Sequence, residues 1–204
     1  MPKEEHPFEP FVGEDATKLI IGTIPPPRFA KNELKCDDVN FYYGSRDNKF
    51  WDIIGQITNI DFKKENSDNE VQKRKQFLKE HKIGICDIVL KTKREKDSAL
   101  DKNLKEIEHL DIVNEILLKN PQIDTLIYTS DFVKKQMTAL LKNIFKKEIC
   151  HNSTKEDKRI KTININGKEY KVYILYSPSK SALRGIGKNA SEIRLEQYKK
   201  FLFS

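Results

Sequence analysis

The sequence predicts an α/β fold: a three-layer α/β/α sandwich with a central, mostly parallel sheet. Two observations carry this. Short apolar runs ending in glycine or turn residues alternate with longer segments of helical periodicity, and strands that alternate with helices build a parallel sheet covered on both faces. One late segment is different in kind, alternating polar and apolar residues around Asn166-Gly167, which marks a hairpin added to that sheet. No internal repeat or long linker divides the 204 residues, so one domain over 1–204 is expected. That length can bury a substantial core without disulfide or metal staples.

The elements follow in order. Lys18–Gly22 is a short apolar run closed by glycine, the mark of a buried strand. Thr23–Asp38 is expected to be irregular, because Pro25, Pro26 and Pro27 remove three amide donors in a row. Phe50, Trp51, Ile53, Ile54 and Ile57 form one apolar face of a helix. A polar loop, 61–69, precedes a charged helix over about 70–81. Ile83–Val89 reads as a second buried strand, 91–101 as a loop, and Ile107–Leu118 as a helix stopped by Asn120-Pro121. Thr125–Tyr128 is a third strand. Thr129-Ser130-Asp131 behind it can cap a helix over Phe132–Phe145. The hairpin spans 161–175, and an amphipathic helix over about 189–201 closes the chain.

Composition narrows the function classes. Lys and Arg number 38 against 31 Asp and Glu, a net charge of +7, which favours polyanionic partners only mildly because acids are also abundant. No apolar run reaches the roughly 18–20 residues of a membrane span, and Met1–Pro10 is too polar for a secretory signal. Three scattered cysteines suit reduced thiols in the cytoplasm. The four histidines lack metal-ligand spacing, so no metal or other cofactor is expected.

Four loops follow strand ends, where ligands of open α/β sheets bind. The first, Gly22-Thr23-Ile24-Pro25-Pro26-Pro27-Arg28-Phe29, is stiff and lets a ligand approach the backbone; a rigid strand exit or a polyproline ligand for another domain explains it equally well. The second, Phe41–Trp51, gathers aromatic rings around Asn48, whose amide can both donate and accept to read the edge of a planar ligand. Its aromatics can also be core, with Asn48 an ordinary helix cap. The third is Asp87 with its following loop, Lys91–Asp101; a carboxylate at an apolar strand end needs a hydrogen-bond partner or a function, and an ordinary buried helix cap accounts for it as well. The fourth, Tyr176–Arg184, mixes hydroxyl and basic residues suited to phosphate. Gly185-Ile186-Gly187-Lys188 lacks the earlier glycine and the following Ser or Thr of a nucleotide phosphate loop.

Taken in order, these segments resemble the uracil-DNA glycosylase superfamily across roughly Thr17–Phe203. Leu19-Ile20-Ile21-Gly22-Thr23-Ile24-Pro25-Pro26 is similar to its first motif. Phe41-Tyr42-Tyr43 with Asn48-Lys49-Phe50-Trp51 is similar to the Tyr-Tyr segment of its mismatch-specific and hypoxanthine-DNA glycosylase branches. Gly84–Val89 resembles the strand entering its central loop, and Tyr176–Ser181 stands at its second motif.

The resemblance implies a monomeric enzyme that hydrolyses the N-glycosidic bond of a flipped-out uracil- or hypoxanthine-type base in DNA, without cofactor. It implies Asn48, with Asp47 as the alternative, as the group placing water. Gly22, Thr23, Ile24, Pro25, Tyr43, Phe50 and Asp87 would form the base pocket. Arg28, Arg46, Ser177, Pro178, Ser179, Lys180, Ser181 and Arg184 would hold DNA. Two departures stand out: Thr23-Ile24-Pro25-Pro26 contains neither Asp nor Asn, and Tyr176 or Ser177 occupies the place of a second-motif histidine. The alternative is a member of the same fold that binds nucleic acid without hydrolysing it.

Overall fold

The computed structural model of the chain describes residues 3–95, 98–146, 150–153, 157–183 and 187–203. The strands are β1 (Glu4–Glu5), β2 (Lys18–Gly22), β3 (Ile83–Asp87), β4 (Val89–Arg94), β5 (Leu104–His109), β6 (Thr125–Tyr128), β7 (Asn152–Ser153), β8 (Ile160–Ile165) and β9 (Lys168–Ile174). The helices are α1 (Pro27–Ala30), α2 (Phe50–Thr58), α3 (Asp68–Glu80), α4 (Asp131–Phe145) and α5 (Ala190–Leu202).

The main sheet runs β3-β2-β6-β9-β8-β7. Its first four strands are mutually parallel, while β8 and β7 return antiparallel through the Asn166-Gly167 hairpin. Because side chains alternate along a strand, neighbours in β2 enter different layers. Leu19 and Ile21 pack with Val133, Met137 and Leu141 of α4. Ile20 packs with Phe50 and Ile54 of α2, Leu78 of α3 and Phe201 of α5. Helices therefore cover both faces, and the three-layer α/β architecture stands. Among the described residues, no helix is long and apolar enough to cross a membrane.

Three expectations need correction. The run over 83–89 is not one strand: β3 joins the main sheet, while β4 turns away to pair with β1 and β5 in a small antiparallel sheet. Ile88 is the pivot, donating its N–H to Gly22 O and accepting from Leu110 N–H. The expected loop over 91–101 therefore begins as strand. The expected helix over Ile107–Leu118 begins inside β5 and contains only a single π-helical turn, Val113–Leu117. Finally, the proline loop does hold regular structure. Pro27 opens α1 from its first position, where the missing N–H costs nothing.

Candidate active site

The carboxyl ends of the parallel strands open into a cavity of about 490 Å³, a volume typical of small-molecule sites. All four loops contribute to its wall: Thr23, Ile24 and Pro25 from the first, Tyr43, Asp47 and Asn48 from the second, Asp87 from the third, and Ser177, Pro178 and Ser179 from the fourth. The segments singled out in the sequence thus converge.

Two of them are stitched together. Asn48 and Ser179 form an isolated antiparallel bridge, and Lys49 N–H donates to Pro178 O at 3.0 Å. Arg194 of α5 supports the serine loop by donating to the carbonyls of Ser177 and Ser179, both at 3.3 Å. The Asn48 side chain accepts the Phe50 N–H through Oδ1 at 2.8 Å, an Asx-type turn one residue ahead of Lys49, the N-cap of α2. Its Nδ2 has no partner among the described residues. One end of the amide thus ties the chain to the start of α2, while the residue itself lines the cavity.

Tyr43 occupies the floor. Its φ of 56° puts a non-glycine residue in the left-handed region, a conformation that persists only where surrounding structure enforces it. Here its ring stacks on Phe50 with centroids 4.5 Å apart, and its hydroxyl donates to Thr129 Oγ1 at 2.8 Å. Burial pushes the phenol well above its ordinary pKa, so it stays a donor.

Gly22 explains how this floor fits. A Cβ there would lie 2.1 Å from Asp87 Oδ1 and 2.3 Å from the Tyr43 hydroxyl. Gly22 thus admits both groups side by side over the sheet end but is itself outside the cavity wall. Phe50 is likewise behind the wall: it is buried under Tyr43, and only Tyr43, whose other ring face is not covered by that stack, remains of the two expected stacking rings. Trp51 is core, donating Nε1–H to Tyr42 O at 2.8 Å.

Arg28 is also not a surface cation. Its guanidinium bonds Asp38 at 2.6 and 2.7 Å and Ser45 Oγ at 2.8 Å. Burial raises the Asp38 pKa, but the bonds from Arg28 and from the N–H groups of Arg46 and Lys35 outweigh it and hold the carboxyl down to about 2. This pair pins the loop that carries Tyr43 and Asn48. Arg46 is exposed and stands outside the cavity wall, its nearest acid Asp37 at 3.9 Å. Asp47 is at the rim with its side chain 62% exposed. Arg184 and the side chains of Lys180 and Ser181 lie outside the described residues, as do positions 185 and 186 of the glycine-containing stretch.

Several wall and support residues were not singled out from sequence. Phe29, Tyr42, Thr129, Ala99, Leu100 and Asp101 line the cavity. Burial pushes the Asp101 carboxyl up to about 6 against the distant Arg94 charge; Asp87 raises it further, and a Thr23 hydrogen bond opposes. Arg94 is engaged elsewhere, donating to Glu4, Ser98 O and Pro25 O. Beneath Asp87 sits His6, with Nε2 2.8 Å from Asp87 Oδ2 and its ring stacked on Tyr42.

No family model matches the chain. A hypoxanthine DNA glycosylase of Methanosarcina barkeri (strain Fusaro / DSM 804) is 28% identical over 109 residues, 53% of this chain and 62% of that protein. The match thus spans less than two thirds of the relative's length. The solution NMR structure of a proposed uracil DNA glycosylase from Methanosarcina acetivorans superposes with a TM-score of 0.58 and 18% identity, covering 100% of both chains. The second likeness speaks for the fold alone. In sequence over half the chain and in fold over all of it, the resemblance is to the uracil-DNA glycosylase superfamily.

Proposed function

We propose that the chain is a DNA glycosylase that removes a deaminated base, of the hypoxanthine or uracil type, after the nucleotide is rotated out of the helix. The observation that carries this reading is the position of Asn48: its oxygen is fixed by Phe50 N–H, and the residue stands in the wall of a cavity of about 490 Å³, roomy enough to admit a rotated-out nucleotide. A fixed amide can hold a water at a set place without losing conformational freedom when the substrate arrives. The target must leave the stack because its glycosidic bond is unreachable within a duplex.

The wall suits a planar heterocycle. Tyr43 presents aromatic surface, backed by the buried Tyr42 and Phe29, while the peptide groups around Thr23 and the hydroxyls of Thr129 and Ser130 lie along the same wall. As the bond breaks, the sugar becomes cationic and the base anionic, so the wall must serve both charges. Asp87 and Asp101 both line the cavity, and a carboxylate there would face the cationic sugar. Neutral donors would serve the base, Tyr43 and Thr129 excepted, since Thr129 accepts the Tyr43 proton and gives its own to Ile21 O. The bridged loops at Asn48 and Ser179 would grip the flanking strand.

A relative carrying the name hypoxanthine DNA glycosylase supports the same reading. The experiment is single-turnover incubation with oligonucleotides holding hypoxanthine, uracil or xanthine, followed by alkaline cleavage at abasic sites. Base release lost in Asn48→Ala supports it. Salt-dependent DNA binding without any abasic product favours the non-hydrolytic alternative.

A further inference from the structure

The water that Asn48 would hold needs an acceptor for its proton, and Asn48 cannot be that acceptor. An amide oxygen is far too weak a base to take it, and Oδ1 already accepts the Phe50 N–H at 2.8 Å. The first loop carries no Asp or Asn, and the serine loop no His. Asp47 is a poor base, because a carboxylate 62% exposed at the rim is well solvated.

Asp87 is differently placed. It ends β3 directly beside Gly22 of β2, it lines the cavity, and its side chain is 8% exposed. Its Oδ2 meets His6 Nε2 at 2.8 Å, while Oδ1 lies over Gly22 next to the Tyr43 hydroxyl. His6 arrives from the far end of the chain just after β1, and its side chain is 5% exposed. Its Nδ1 stands 3.1 Å from Phe8 N and 2.9 Å from Phe8 O. With Nε2 protonated toward Asp87, Nδ1 accepts from Phe8 N–H when the ring is neutral and donates to Phe8 O when it is charged. The socket therefore accommodates both protonation states of one imidazole.

We infer that Asp87 is the general base of the reaction proposed above and that His6 is its positioning residue. The inference rests on that reading. The water oxygen forms its bond to the sugar C1′ as the C1′–N bond breaks, and the electron pair leaves with the base. The water proton passes to Asp87, while His6 keeps Nε2–H directed at the same carboxylate. The departing base anion later takes up a proton, so the sum is hydrolysis. The groups facing Asp87 are His6, Tyr42, Tyr43, Cys86 and Asp101; of these only His6 can place positive charge beside it.

The test is single-turnover base release from pH 5 to 9 by the full chain. Asp87→Asn is expected to lose roughly 10²-fold or more, the usual scale of a removed general base, with oligonucleotide affinity within about threefold of wild type. Asp87→Glu retains part of the activity. His6→Asn is expected to lose about tenfold and to displace the acidic limb of the pH–rate profile, which a merely structural histidine would leave in place. Wild-type rates in folded Asp87→Asn, or an unmoved acidic limb in His6→Asn, overturn the inference while cleavage lost in Asn48→Ala leaves the glycosylase reading standing. If Asp87→Asn does not fold, the His6→Asn profile decides. If the wild-type chain releases no base from any oligonucleotide, the reading fails and this inference fails with it.

Discussion

Asn48 and Ser179 pair through their backbones in an isolated bridge, although they come from opposite halves of the chain. The bridge fixes the serine loop against the loop that carries Tyr43 and leads into α2. Arg194 holds the serine loop from behind through two carbonyls, and the Arg28–Asp38 pair holds the aromatic loop. The cavity wall is thus braced on both sides before any ligand arrives, the preorganisation that positional catalysis requires.

Gly22→Ala is expected to break the floor. The added methyl would sit 2.1 Å from Asp87 Oδ1 and 2.3 Å from the Tyr43 hydroxyl, and forced overpacking costs about 1–3 kcal/mol. Gly13→Ala is the control, since its nearest neighbour would be at 3.6 Å, and it should stay within about 0.5 kcal/mol of wild type. Urea denaturation of both variants makes the comparison. Equal midpoints would show that the floor is not close-packed.

Arg28→Ala should cost stability rather than DNA contacts. Breaking one side of a buried pair leaves Asp38 uncompensated, worth about 3 kcal/mol. The slope of binding against salt should not change, whereas loss of a phosphate contact would lower it by about one. The pH dependence has a definite sign. Asp38 is held at about 2 in the folded protein against an ordinary 3.8, so its contribution is complete above the ordinary value and is lost as pH falls toward 2. Wild type and Asp38→Asn should therefore differ most at neutral pH and converge in acid.

Asp101→Asn should do the opposite. Its folded carboxyl is raised to about 6 from 3.8, so ionisation in the folded protein carries a penalty that grows as pH rises between those values and persists above them. The asparagine variant lacks that penalty. Its melting temperature should exceed that of wild type by more at pH 8 than at pH 4, on the scale of roughly 2–4 °C per kcal/mol for a chain of this size. A pH-independent difference would assign Asp101 no raised titration.

How far the sequence reached can be argued from particular residues. Lys18–Gly22, Thr125–Tyr128 and the Asn166-Gly167 hairpin were legible because burial on both faces or a turn signal leaves a local mark. β5 was not. Glu106 takes a φ of 48°, and the β4–β5 register shifts on either side of Lys91, so the period-two pattern is interrupted and the apolar residues from Ile107 onward mimic a helix. The loops were legible as strand ends, but which side chains enter the cavity was not. Phe50 and Tyr43 are both aromatic, and only the positive φ of Tyr43 decides which one meets the cavity. His6 reaches Asp87 across 81 residues of sequence; its signal is tertiary, carried by Phe8 and Tyr42 packing around it. Arg28 resembled a DNA contact because nothing near it in sequence announces that Asp38 folds back onto it.

The most direct measurement compares wild type, Asn48→Ala and Asn48→Ser in single-turnover release of hypoxanthine and uracil from DNA, with thermal denaturation of each. A serine oxygen can still accept the Phe50 N–H, while alanine forfeits that hydrogen bond, worth about 1 kcal/mol; neither retains the amide nitrogen. The account predicts that wild type releases at least one of the two bases and that both variants fall by 10²-fold or more, even though the serine variant melts near wild type. Release by Asn48→Ser at the wild-type rate would contradict it, because the amide would then serve the helix and not the water.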